Sequence, residues 1–366
     1  MRRLDAIASL AFLAGACSED GFDLPPIAYE TERTRIGLGG SLAHHELCPA
    51  DLERLDHRVG FVEDRLGVRR HEPVTVYLLD AEGWGPPQCP DAMGCYFAAE
   101  DLAFTSYWFA VEHEMVHAVT RDIRFPSGFW REGTAEVLTG MLTRRDPGVV
   151  LRPRSLDADE LGNYATAAHF CRFLIETRGW DKFARAIRGE SLENVYGETA
   201  EALTDEYERE APYSYPPLEP CAHPSLATLD GDAWADNLTL SCDDPAATGM
   251  NWSPRPEVRR IVDLEAGTYA FRFRGGVAYS LLGCHTDIVV EQPVAPSNGD
   301  LPNEVDYALY DGTEFGPNGL QVLELTQGRY RISAIGSFFA AFDADLSIRK
   351  VDWALDQDPP PARDPE

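Results

Sequence analysis

The sequence predicts an α+β domain, a small sheet with an edge strand plus a set of helices, followed by an all-β sandwich. Three observations predict it. Helical periodicities dominate from about residue 51 to residue 209, with only two strand-like runs among them. Pro212, Pro216, Pro217, Pro220 and Pro224 then interrupt the pattern. Beyond residue 236 it becomes short β-like runs separated by turn residues. At 366 residues, 44% hydrophobic and 10% aromatic, the chain has the material for two cores. Its net charge of −29 argues against nucleic acid and anionic membrane surfaces as partners, because both would repel it.

The chain divides into 1–17, 18–26, 27–212, 213–235, 236–355 and 356–366. In the first segment Arg2 and Arg3 precede an apolar run over 6–14, which reads as an export signal and is too short to span a bilayer. Its ending, Leu13 to Cys17, resembles a bacterial lipobox and implies acylation of Cys17. That implies an outer-membrane lipoprotein of a Gram-negative bacterium, with periplasmic or secreted protein as the alternative. On this reading the N-terminal lipid is the only membrane contact. The acidic, Pro-containing segment 18–26 reads as a tether. The Pro- and Asp-rich end, 356–366, reads as disordered.

Within 27–212, a strand is expected at 31–36. A helix opens at Asp51, with apolar residues Leu52, Leu55, Val59, Val62 and Leu66, and stops at Gly67. A buried strand follows at 74–79. A Gly- and Pro-rich loop leads to strand 95–104, which suits either a sheet edge that pairs with an extended peptide or an ordinary hairpin. Helices are expected at 106–122, 128–144, 161–178, 180–189 and 199–209. After the 213–235 linker, β runs are expected at 238–241, 257–264, 268–273, 279–282, 288–291, 307–310, 320–325, 330–335 and 344–348. Asp230, Asp232 and Asp236 have no Ca²⁺-loop spacing and read as a solvated acidic turn.

Eight cysteines without a CxxC pair in an exported chain point to disulfides. Cys89 with Cys95, around a tight loop, and Cys242 with Cys284, flanking two predicted strands, are the preferred pairs. Cys48, Cys171 and Cys221 are left unassigned.

The chemistry is concentrated in HEMVH, residues 113–117. His113 and His117, four apart, project from one helix face, so both imidazoles can bind one metal ion. Glu114 leans toward the same ion, where it can take a proton from water and return it to a leaving amine. A third ligand must come from another element. Glu132, in FWREGTAE, lies 15 residues after His117, far enough for the chain to reverse and start a second helix. Glu136, one turn later on the same face, can orient a ligand histidine.

These residues resemble the gluzincin metallopeptidases, which include thermolysin and aminopeptidase N. HEMVHAVT is similar to the thermolysin motif helix, and WREGTAE is similar to the segment carrying the glutamate ligand in aminopeptidase N. The gap before Glu132 is shorter than in those enzymes, so the chain looks like a compact bacterial branch. The resemblance implies one catalytic Zn²⁺, a peptide or protein substrate, and peptide-bond hydrolysis by activated water. Tyr164, in NYATAAHFCRFL, sits in a segment similar to one whose tyrosine hydroxyl stabilises the oxyanion in aminopeptidase N. Thr166 and Ala167 replace that family's Lys-Gly pair, and His169 is the alternative donor. The run EVRRIVDLEAGTYAFRF, 257–273, resembles bacterial pre-peptidase C-terminal sandwiches and implies an accessory or binding role. The contrasting reading is a cell-surface binding protein built on a retired metallopeptidase-like scaffold. Structural zinc is disfavoured because such sites close with four protein ligands, often cysteines.

Overall fold

The structure is a computed structural model that describes residues 24–44, 46–79, 85–139, 143–146, 148–158, 164–215, 218–219, 221, 227–230, 233–249, 256–275, 278–284, 313–315, 319–335 and 342–351. Cys17, the export segment, the predicted strands 288–291 and 307–310 and the tail 356–366 lie outside the described residues. The molecule combines α-helices and β-sheets in two segregated regions, each with its own apolar core.

The N-terminal sheet has strand order β1-β2-β3-β5-β4. Strands β1 (Ile27–Glu30) and β2 (Thr34–Leu38) form an antiparallel hairpin where one strand was expected. The turn is closed by Thr31, whose backbone N–H donates to the Thr34 carbonyl at 2.9 Å. Helix α1 (Pro49–Leu66) then crosses to β3 (Val74–Leu78), parallel to β2. Proline in its first turn costs no hydrogen bond. Gly67 ends it in the left-handed region (φ 62°), where its N–H reaches the Glu63 carbonyl. Buried Val74, Val76 and Leu78 suit β3 to the middle of the sheet.

The expected single strand at 95–104 is a hairpin, β4 (Gly94–Phe97) and β5 (Leu102–Thr105), with β4 on the sheet edge. Its turn is anchored. Asp101 (φ 58°) accepts two hydrogen bonds from Arg70, at 3.1 and 2.6 Å, and one from the Tyr96 hydroxyl at 2.6 Å. Arg70 also donates to the Ala118 carbonyl, tying the hairpin to helix α2 (Trp108–Val119).

Helix α2 packs across β3, β4 and β5, and α3 (Gly128–Leu138) packs on α2. After the two-residue strand β6 (Thr143–Arg144) come α4 (Tyr164–Arg178), α5 (Trp180–Ala186), α6 (Leu192–Tyr196) and α7 (Ala200–Glu210). Strand β7 (Ser214–Tyr215) pairs back with β6. Leu55, Val62, Val111, Met115, Trp130, Phe170 and Leu203 belong to the shared core.

Two sheets form the C-terminal region. One has β10 (Ala247–Thr248), β11 (Glu257–Leu264), β16 (Gly328–Ile335), β13 (Ala278–Gly283) and β14 (Thr313–Phe315) in that order, with β8 (Ala227–Asp230) parallel to β11. The other runs β15 (Gly319–Leu325), β12 (Gly267–Gly275), β17 (Phe342–Lys350), β9 (Ala233–Leu240). Val258, Val262 and Ile332 of the first share a core with Leu238, Phe271 and Ile348 of the second, as face-to-face sheets do. Asp236 is paired with Arg260 at 3.0 Å.

The cysteine expectations hold in one case and need correction in the other. Cys89 is bonded to Cys95. Cys242 and Cys284 are not partners: Cys242 follows β9 of one sheet, Cys284 follows β13 of the other, and each bonds a third segment. Cys48, at the start of α1, takes Cys242, and Cys221 takes Cys284. Cys171 is a free thiol, fully buried, and burial pushes its pKa up. Three disulfides point to an oxidising compartment outside the cytoplasm. No helix among the described residues is long and apolar enough to cross a membrane.

Candidate metal centre

Helix α2 carries His113 and His117 one turn apart, and both rings face the start of α3. Their Nε2 atoms are 3.0 Å apart. Glu132 Oε2 lies 3.2 Å from the first and 3.1 Å from the second. These three atoms form a triangle able to hold one metal ion. Its size can be tested. Tetrahedral ligands at zinc bond lengths of about 2.0–2.1 Å stand roughly 3.3 Å from one another, close to the 3.0–3.2 Å found here. The donor set, two imidazoles and one carboxylate, is also one that leaves a fourth position open.

Packing fixes each donor. Beside His113, Glu112 is buried and bound by two arginines of α1, Arg54 at 2.7 Å and Arg58 at 2.9 Å. Burial pushes the Glu112 carboxyl up, but these guanidinium groups outweigh it and hold it below the ordinary range. Helix α3 is stitched at its start: the Ser127 hydroxyl donates to the Leu156 carbonyl at 2.6 Å, and Phe129 N–H to Ala158 at 2.9 Å. Gly133 lets α3 lie directly on α4, since an added Cβ would fall 2.8 Å from both the Ala167 carbonyl oxygen and Cys171 Sγ.

Electrostatics follow from that convergence. Burial pulls the His113 imidazolium down, yet Glu132 and Glu136 overcome it and raise its pKa to about 10. Burial likewise pushes Glu132 up, but the two imidazoles and Arg131 hold it well below the carboxylate range. Two carboxylates converging on the imidazoles favour positive charge at this point. Glu136 Oε1 is 3.1 Å from His113 Nδ1, close beside it but off the line of its N–H. Glu114 is buried, and burial raises its pKa, against the lowering effect of His113 and His117. A raised carboxylate is the better proton acceptor.

Tyr164, the first residue of α4, stands with its ring centroid 6.2 Å from that of His113 and is 46% exposed. Burial, then Glu132, Glu114 and Glu136, raise its pKa, so its hydroxyl stays a donor. His169 is not brought to this cluster. It is fully buried, its Nδ1 lies 3.0 Å from the Tyr207 hydroxyl of α7, its ring packs on Tyr215, and burial lowers its pKa to about 4. It is a core residue, and the reading of it as an alternative oxyanion donor is corrected.

Two residues at the site have no role assigned from sequence. Gly94, opening edge strand β4, lies against Glu114: an added Cβ would be 2.8 Å from Oε1. A lone glycine opening a strand inside a disulfide-closed loop is a recognisable mark of close backbone approach. Arg131 donates from Nε to Glu132 Oε1 at 2.7 Å. Nothing in its sequence position separates it from an ordinary surface arginine.

No protein-family model matches this chain, and no curated protein matches it. A solved structure that aligns is a periplasmic inhibitor of g-type lysozyme from Aeromonas hydrophila. It is 9% identical, the alignment covers 34% of this chain and 96% of that chain, and the TM-score of 0.18 carries no argument about fold or function.

Proposed function

We propose that this chain is a zinc-dependent hydrolase of peptide bonds that acts outside the cytoplasm, with the gluzincin-like arrangement its motifs resemble. The observation that carries the reading is the triangle of His113 Nε2, His117 Nε2 and Glu132 Oε2 with buried Glu114 on the same helix. The three side chains would hold Zn²⁺, which when bound supplies a Lewis acid and lowers the pKa of its water to about 7.

The chain's own groups do the rest. Glu114, with its raised affinity for protons, takes one from the attacking water and later delivers it to the departing nitrogen. Edge strand β4, against which Glu114 rests, limits the positions its carboxylate can take. The Tyr164 hydroxyl donates to the carbonyl oxygen as negative charge grows on it. Glu136, 3.1 Å from His113 Nδ1, is placed to orient that ring so that Nε2 points toward the metal. The disulfides support action in an oxidising compartment, and acylation at Cys17 would tether the enzyme to a membrane.

The test is peptide-library cleavage by wild type and Glu114→Gln side by side. The variant should keep zinc and lose about 10²- to 10⁴-fold in rate, as removal of a general base does. Equal cleavage by both proteins, or none by zinc-loaded wild type, rejects the assignment.

A further inference from the structure

Helix α3 is buried at nine of its eleven positions, and the two that are not are Arg131 and Glu136. Glu136 is occupied with His113. Arg131 has a side chain that is 54% exposed, yet it turns to the neighbouring Glu132 and meets one oxygen only. The two oxygens of Glu132 are therefore unequal: Oε2 faces both imidazoles at 3.1–3.2 Å, while Oε1 accepts the Arg131 Nε–H at 2.7 Å.

From this we infer that Arg131 is a positioning residue that makes Glu132 a single-oxygen metal ligand. The inference rests on the zinc reading above and deepens it. A carboxylate can give a cation one oxygen or two. An oxygen already accepting a charge-assisted hydrogen bond has less electron density to offer and is held at a fixed angle. With Oε1 engaged, the protein fills three coordination positions, and a fourth remains for water. If both oxygens bound, that position would be crowded by the ligand that completes the site.

The positive charge of Arg131 acts in the opposite sense, since it repels a nearby dication. Exposure to solvent weakens that repulsion more than it weakens a direct hydrogen bond. The two effects separate experimentally because glutamine places its amide nitrogen the same number of bonds from Cα as arginine Nε, without the charge.

The experiment is X-ray absorption at the zinc edge on the full chain loaded with Zn²⁺, as wild type, Arg131→Gln and Arg131→Ala. The melting temperature of each metal-free protein is measured alongside. Wild type and Arg131→Gln should show one carboxylate oxygen in the coordination shell, and Arg131→Ala two, with melting temperatures that coincide. A role confined to the helix surface would shift the melting temperature and leave the shell unchanged. The inference is overturned if the Arg131→Ala spectrum superimposes on wild type, if wild type already shows two oxygens, or if Arg131→Gln behaves like Arg131→Ala. Failure of wild type to take up zinc at all instead rejects the metal reading itself, and this inference with it.

Discussion

Glu114 touches the backbone of a strand that a side chain would push away. A Cβ at residue 94 would lie 2.8 Å from its Oε1 and 2.9 Å from its Cγ, and also 3.1 Å from the Phe104 carbonyl oxygen. The second neighbour is main chain and cannot step aside, so Glu114 has to move. Displacing a catalytic group by about 1 Å costs on the order of 100-fold in rate. Gly94→Ala is therefore expected to lower kcat by about that factor while zinc affinity stays at the wild-type value, measured by titration against a chelator. At this scale the sequence was readable where spacing alone sets geometry: the i, i+4 histidines must share a face. It was not readable for His169, whose surroundings are made by Tyr207 and Tyr215 from segments 38 and 46 residues further on, which no local pattern reveals.

Helices α3 and α4 together carry Glu132 and Tyr164 to the α2 histidines, and Gly133 sets how closely they approach. Its added Cβ would meet the Ala167 carbonyl at 2.8 Å, again a backbone atom. Gly133→Ala should therefore separate the two helices and destabilise the fold by about 1–3 kcal/mol, the usual cost of overpacking. Thermal melting of the metal-free protein would show the loss, and zinc affinity would fall with it. Helix α1 was legible because five apolar residues keep its period and Gly67 stops it. Helix α6 was not, since five residues are too few to show a period; its local marks are the Ser191 cap, which accepts from Asn194 N–H, and Gly197, which ends it in the left-handed region. The two hairpins read as single strands for a related reason: turns Thr31 to Arg33 and Ala98 to Asp101 lack the Asn-Gly or Asp-Gly signature, and side-chain contacts hold them closed.

In the whole molecule the two cores are joined through α1, which packs beside the histidine-bearing α2. Cys48 at the start of α1 bonds Cys242, and Asp51 one turn later accepts the Gly249 N–H at 2.7 Å. Half-buried Arg259 of β11 is paired with Glu257 at 2.8 and 2.9 Å, and its charge reaches Glu112, the neighbour of His113. The C-terminal sheets are thus bound to α1, whose Arg54 and Arg58 hold Glu112 beside His113. The division into helical and β-rich regions was legible from the change of period after the prolines. The joining disulfide was not, because its partners are 194 residues apart and connectivity depends on which surfaces meet. The proposed function nevertheless depends on one triangle of atoms, and anomalous diffraction at the zinc edge from crystals grown with Zn²⁺ tests it most directly. The account predicts one strong peak bonded to His113 Nε2, His117 Nε2 and Glu132 Oε2. A peak bound by other residues, or none at a concentration that saturates the protein in solution, would contradict it.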